Sequence, residues 1–282
     1  MSKTPKILIA GCGDVGSATG ERLAAKGYSV YGLRRNTTQI PRSIKALSAD
    51  LNDPATLNDL PAVDFVLYCA APSRQRGDNY EDTYVQGLEN LIKALPSPPL
   101  HCFFTSSTSV YHQDNHQWVD EHSPCHPFSS RGQIMLNAER QVHLLCPAST
   151  VVRFAGIYGP GREYLLGQVK LGKRANSQPK VFTNRIHRDD CAGILCHLIE
   201  QKLAAKPLAS LYLGCDSLPS PLYDVTQWLA QQLDITSTDA SLSRDTPSKR
   251  CSNQRLLDSG YQFIYSDYRQ GYAELLHPSP VQ

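Results

Sequence analysis

Through the first 155 residues, short apolar runs alternate with amphipathic stretches. The runs KILIAG (6–11), YSVYGL (28–33), DFVLYCAA (64–71), LHCFFTSS (100–107) and STVVRFAG (149–156) are rich in β-branched or aromatic residues and end on small ones, which predicts buried strands. Segments 14–26, 79–95 and 130–145 carry helical spacing. Strands and helices in that alternation predict an α/β fold, a doubly wound parallel sheet with helices on both faces. A shorter strand near 44–49 completes its first half.

Beyond residue 156 the pattern loosens into a glycine-rich turn, IYGPGRE, a short helix near 163–172 and a polar basic stretch, KLGKRANSQPK. Regularity returns with a helix over 189–203, which Asp189 or Asp190 is placed to cap, a strand over 208–214 and a helix over 221–233. The Ser/Thr/Asp-rich stretch 235–250 reads as a surface loop or mobile arm. The division that follows is a core of 1–156, with 180–216 returning to it, and a small substrate-binding lobe made of 157–179 and 217–282.

The sharpest motif is IAGCGDVGSATGERLAAKG, which sets Gly11, Gly13 and Gly16 in GxGxxG spacing between a strand and a helix. Gly11 allows the tight turn, Gly13 admits a pyrophosphate close to the backbone, and Gly16 allows strand and helix to pack closely. Amides at the helix start, over Cys12, Asp14 and Val15, supply the donors for the phosphates. The acid that binds a free ribose 2′-hydroxyl is missing about 20 positions on. Arg34 and Arg35 stand there instead, in YGLRRN. Two arginines suit a 2′-phosphate, which favours NADP over NAD; the plainer alternative is a solvated surface pair.

Composition narrows the partners. With 28 basic and 26 acidic residues the formal net charge is +2, which suggests neither a nucleic-acid surface nor attraction to a membrane. No apolar run approaches a membrane span, and the N-terminus enters a strand without a secretory signal. The nine cysteines include no CxxC pair and fall mostly in apolar segments, as expected of reduced core thiols in a cytoplasmic protein.

These motifs, with SADLND, CAAP, FFTSSTSVYH, VVRFAGIYGPG and NRIHRDDCAG in order downstream, resemble the extended and atypical short-chain dehydrogenase/reductases, the NAD(P)-dependent epimerase/dehydratase superfamily. Within it the likeness is greatest to a bacterial YeeZ-like subgroup. The resemblance covers almost the whole chain and implies an NAD(P)-binding Rossmann-like fold. It implies that Asp50 and Leu51 flank the adenine and that Cys69, Ala70 and Ala71 line the cofactor behind the fourth strand. One departure is the first loop, where Ala10 stands in place of a glycine usual in extended members.

A second departure touches the chemistry. In the superfamily a serine polarises the substrate oxygen, a tyrosine moves its proton, and a lysine four residues later tunes the tyrosine. Counting back from Val110 puts Ser107 at the serine position. Counting from Glu139 puts Arg131 at the tyrosine and Met135 at the lysine, while an asparagine of the pattern falls near Tyr84. Arginine stays protonated near neutrality, so Arg131 can hold an anion but cannot shuttle a proton. Tyr111, His112, Tyr158 and His187 are candidates to stand in. The histidines of YHQDNHQWVDEHSPCH are too irregularly spaced to suggest a metal site.

Two functions are compatible with these residues. One is an NADP(H)-dependent oxidoreductase- or epimerase-like protein in which Ser107 and Arg131 face an anionic small molecule. The other is a non-catalytic NADP(H) sensor. A homodimer is the oligomer that the resemblance implies.

Overall fold

The computed structural model describes residues 4–72, 79–236, 239–243 and 247–277. Its centre is a seven-stranded sheet built from β1 (Lys6–Ala10), β2 (Ser29–Arg34), β3 (Lys45–Ser48), β4 (Phe65–Tyr68), β5 (His101–Ser107), β6 (Ser149–Phe154) and β7 (Leu211–Gly214). The helices are α1 (Asp14–Ala25), α2 (Gly87–Ala94), α3 (Ser130–Leu145), α4 (Tyr164–Lys170), α5 (Arg188–Leu203), α6 (Leu222–Gln232), α7 (Gln254–Asp258) and α8 (Tyr268–Leu276).

The strand order is β7-β6-β5-β4-β1-β2-β3. From β1 the chain winds outward through β2 to β3, then crosses back to lay β4 on the other side of β1, with parallel pairing throughout that half. Ile9 therefore faces Gly32 on one side and Leu67 on the other. Residues 7–10 are wholly buried, as a central strand covered on both faces must be. The reversal of winding leaves a crevice at the carboxyl ends of β1 and β4, the place where such sheets take ligands.

Contacts divide the chain into two compact units. The first comprises Met1–Val110, Cys125–Arg153 and Ala192–Tyr212; the second comprises Tyr111–Pro124, Phe154–Cys191 and Leu213–Gln282. In the first, Glu139 of α3 is buried with Arg153 of β6. Arg153 donates to it twice, Nε to Oε1 at 2.9 Å and Nη2 to Oε2 at 2.6 Å, and the Ser106 hydroxyl adds a third bond. Cys102 of β5 and Cys146 at the end of α3 are joined in a disulfide, which corrects the expectation that all nine cysteines are reduced. The other seven cysteines are not disulfide-bonded among the described residues.

The second unit is held by very short pairings. Gly156–Tyr158 lies parallel to Arg185–His187, Lys173–Ala175 to Asp239–Leu242, and Trp118–Val119 to Arg250–Cys251. Its apolar centre gathers Tyr158, Leu166, Val169, Val225, Leu229, Tyr268 and Tyr272. Asp190 ties the C-terminal segment down by accepting from the Tyr261 hydroxyl at 2.8 Å and from the Ile264 and Tyr265 amides at 2.8 and 3.0 Å. Within 235–250, read from the sequence as a loop or arm, Asp239–Leu242 is a strand, and 237–238 and 244–246 lie outside the described residues.

No helix among the described residues is long and apolar enough to cross a membrane.

Candidate functional site

The glycine loop joins β1 to α1 at the crevice. Gly11 has φ +84°, and a Cβ there would lie 2.3 Å from the Ala70 backbone, so only glycine fits beside the end of β4. The Gly11 and Cys12 amides bond to the Leu33 carbonyl at 3.1 and 3.2 Å, which pins the turn to β2. Gly13 sits at the start of α1 with no side-chain cap, and a Cβ added to it would meet nothing within 4 Å. The backbone there is open to a ligand, and the uncapped turn over Asp14, Val15 and Gly16 presents the positive end of a twelve-residue helix. Gly16 is buried beneath the loop, with the Gly11 carbonyl 2.6 Å from where its Cβ would stand.

Cys12 is fully buried, and burial pushes its thiol pKa up, against a smaller opposing pull from Ser17 and Arg34. It is a packing residue and not a reactive thiolate.

Arg34 and Arg35 lie at the end of β2, both half-exposed. Arg34 reaches back toward the loop, with Nη1 3.5 Å from the Cys12 carbonyl, and its Nη2 donates to Gln39 Oε1 at 2.8 Å. Arg35 Nη1 stands 3.8 Å from Asp50 Oδ2. The arginine pair and Asp50 are thus brought together beside the glycine loop. Leu51 follows, its carbonyl accepting from Asn90 Nδ2 at 2.8 Å. Cys69 is half-buried, Ala70 is buried and Ala71 is exposed; the Cys69 amide donates to the Ala10 carbonyl at 2.8 Å, so this turn borders Gly11 directly. The residues present fit a dinucleotide: backbone approach at Gly13, a helix terminus for the pyrophosphate, and two guanidinium groups near the far end of β2.

Ser107 ends β5, its hydroxyl accepting the Ser109 amide at 3.2 Å. Arg131 lies in the first turn of α3, where Ser129 is the N-cap and its side chain accepts the Gly132 amide at 3.1 Å. A Cβ on Gly132 would lie 3.0 Å from the Ser109 carbonyl and 2.7 Å from Pro127, so the start of α3 is seated on the residues just after Ser107. Arg131 is exposed and stacks over Tyr80, with Cζ 5.1 Å from the ring centroid. Met135, one turn on, is buried in the core. Tyr84 is buried beside Tyr80 at a ring distance of 5.4 Å.

The four stand-ins named from the sequence lie in the second unit. Tyr111 is buried and donates to the Asp120 carbonyl at 2.8 Å. Tyr158 stacks on Tyr272 at 4.4 Å, and burial raises its pKa far above the ordinary phenol value. His187 is buried against Tyr158 and Tyr265, with Nδ1 accepting the Asp189 amide at 3.2 Å, which leaves the hydrogen of a neutral imidazole on Nε2. His112 is half-buried in the loop that follows. Tyr80 is the aromatic neighbour of Arg131 that sequence reasoning missed. The two are 51 positions apart, so only the packing of their helices brings them together.

The sequence profile of the NAD dependent epimerase/dehydratase family matches residues 7–201. Protein YeeZ of Escherichia coli (strain K12) is 30% identical over 211 residues, which is 69% of this chain and 73% of that protein. A solved NAD-dependent epimerase/dehydratase candidate from Methylobacillus flagellatus superposes with a TM-score of 0.84 at 39% identity, covering 97% of this chain and 98% of its own. The human epimerase family protein SDR39U1, solved with NADPH, shares the fold with a TM-score of 0.76 at 19% identity, covering 97% of this chain and all of that one.

Proposed function

The chain belongs to the NAD dependent epimerase/dehydratase family, and we propose that it is an NADP(H)-binding oxidoreductase- or epimerase-like protein acting on a small anionic molecule. One observation carries the choice of NADP. Arg34 ends β2 beside the glycine loop and Arg35 follows it, where an acid would otherwise take the ribose 2′-hydroxyl. A 2′-phosphate suits a pair of guanidinium groups because each can give parallel charge-assisted hydrogen bonds to its oxygens. The NADPH held by human SDR39U1, a protein of the same fold, is consistent with that choice.

The dinucleotide, when bound, supplies the hydride. The protein's part is placement. Gly11, Cys12, Gly13, Asp14, Val15 and Gly16 form the pyrophosphate turn, Asp50 and Leu51 border the adenine end, and Cys69, Ala70 and Ala71 border the other side of the crevice. Ser107 donates a hydrogen bond to a substrate oxygen. Arg131 attracts the substrate's negative group and stabilises charge through fixed N–H donors without exchanging a proton.

Fluorescence titration with NADPH and NADH tests this reading. Wild type is expected to bind NADPH more tightly, and an Arg34→Ala/Arg35→Ala variant to lose that preference while still binding NADH. Equal affinity of the wild type for the two cofactors refutes the NADP assignment. A protein that binds NADPH and turns over no carbonyl compound is instead a cofactor sensor.

A further inference from the structure

Neither Arg131 nor Met135 can give a proton to a carbonyl oxygen, yet a phenol stands against Arg131 within the first unit. Tyr80 opens the helical stretch 80–94, whose start is capped by Asn79: its Oδ1 accepts the Asp82 amide at 2.6 Å, and the Thr83 hydroxyl donates to its carbonyl at 2.9 Å. That fixes the backbone at Tyr80. The ring is fixed from behind. It tilts against Tyr84 at 5.4 Å, Tyr84 meets Phe104 edge-on at 6.4 Å, and Phe104 stacks on Tyr68 at 5.7 Å. A row of four rings thus runs from the sheet core to Tyr80, and the Arg131 guanidinium lies over the last of them. Tyr80 is half-buried.

From this contact we propose that Tyr80 is the proton donor of the reaction, with Arg131 as the cation that faces it, and that the substrate is a 2-oxo acid. The proposal rests on the reading that the protein binds NADP(H) and acts on an anion. The class follows from the three side chains. Ser107 takes a carbonyl oxygen, Arg131 takes a carboxylate next to that carbonyl, and Tyr80 supplies what neither can. During reduction the carbonyl carbon gains a hydride from the dihydronicotinamide, and the C=O π pair moves onto oxygen. The Tyr80 O–H proton passes to that oxygen, which completes the hydroxyl. The phenolate left at Tyr80, beside the Arg131 charge, regains its proton from water.

The arrangement would divide the superfamily's usual work differently. The phenol comes from the helix that follows β4 instead of from α3, and the fixed cation comes from α3 as an arginine.

The test uses purified full-length protein, NADPH and four probes: glyoxylate, pyruvate, oxaloacetate and phenylpyruvate. Wild type is expected to oxidise NADPH with at least one of them. Tyr80→Phe keeps the ring under Arg131 and removes only the proton, so kcat should fall by about 10²–10⁴-fold, the usual worth of a positioned general acid, while KM and the NADPH dissociation constant hold. Tyr80→Leu also removes the platform under Arg131, so KM for the oxo acid should rise as well. A Tyr80→Phe variant with wild-type kcat overturns the proposal, and so does a wild type that binds NADPH yet reduces none of the four acids. Failure to bind NADPH at all is read separately, in the fluorescence titration; it refutes the underlying function and this proposal with it.

Discussion

The two units bury their polar groups in different ways. In the first, Glu139 is met by two bonds from Arg153 and one from Ser106, and His101 Nε2 pairs with Thr150 Oγ1 at 2.9 Å, while His101 Nδ1 is buried with no hydrogen-bond partner among the described residues. In the second, Tyr158 Oη, Arg185 Nη1, Asp216 Oδ2 and Tyr268 Oη are buried with no hydrogen-bond partner among the described residues. A closed polar network fixes side chains in one arrangement, whereas a buried polar atom without a partner carries an uncompensated desolvation cost. The unit that carries the glycine loop, Ser107 and Arg131 is the one with fewer such atoms among the described residues. Placement to a fraction of an ångström is what such a site asks of its scaffold.

Breaking the first unit's network should have the largest effect. Glu139→Gln removes the charge that balances buried Arg153, and losing one partner of a buried ion pair typically costs about 3–5 kcal/mol. Urea denaturation should show that loss, with reduced protection of the β5 and α3 amides. A cost under about 1 kcal/mol would mean that the pair is solvated in practice.

The pH dependence should separate the units by sign. Burial raises Asp216 to about 7, opposed in part by Arg185, and lowers His101 to about 4. A carboxyl whose folded pKa exceeds its unfolded value binds more protons when folded. Its contribution is therefore full below about pH 4 and is lost as pH rises through about 7. At 1.36 kcal/mol per unit the change is on the order of 4 kcal/mol. His101 runs the other way. Its contribution is present above about pH 6.5 and is lost as pH falls toward about 4. Hydrogen-exchange protection between pH 4 and 7 should thus fall with rising pH around Asp216 and rise around β5. Asp216→Asn should flatten the first trend and leave the second. Parallel trends in both regions would show that these two groups do not govern local stability.

A smaller effect is expected at the packing of the second unit. A Cβ on Gly271 of α8 would lie 2.0 Å from the Tyr158 hydroxyl. Gly271→Ala should therefore lower stability by roughly 1–3 kcal/mol, the range for overpacking, and thermal melts should show it. NADPH affinity should not change, because the residues assigned to the dinucleotide lie in the other unit.

Legibility in the sequence follows the same division. The strand at 6–10, the helices at 14–25 and 130–145 and the order of winding are readable because each element declares itself by local periodicity and small-residue ends. The pairing of Trp118–Val119 with Arg250–Cys251 is not. Two-residue strands 132 positions apart carry no period, and their register is set by bonds such as the Asn184 side chain to the Lys249 carbonyl and the Cys251 amide. Within the candidate site, Arg131 is reachable by counting from Glu139, since both lie on one helix. Tyr80 escapes because its relation to Arg131 exists only across two helices. The Cys102–Cys146 pair escapes for a similar reason: a β5 residue and an α3 terminus, 44 positions apart, meet only once α3 has packed on the sheet.

The smallest expected change in stability belongs to Gly13→Ala, and it sharpens the comparison most. A methyl group there meets nothing within 4 Å, and φ at Gly13 is −90°, open to any residue. The fold cost should be small, about 0.5–1 kcal/mol, because alanine is a poorer N-cap than glycine. Yet the space the methyl takes is the space through which a pyrophosphate would approach the start of α1. NADPH affinity should then fall roughly tenfold or more, or about 1.4 kcal/mol, with only a small drop in melting temperature. Gly271→Ala is the mirror experiment: a fold cost without a binding cost. Should Gly13→Ala bind NADPH as well as the wild type does, the open backbone at Gly13 is not where the phosphates lie, and the dinucleotide would have to be held by the β2 arginines and the 69–71 turn without it.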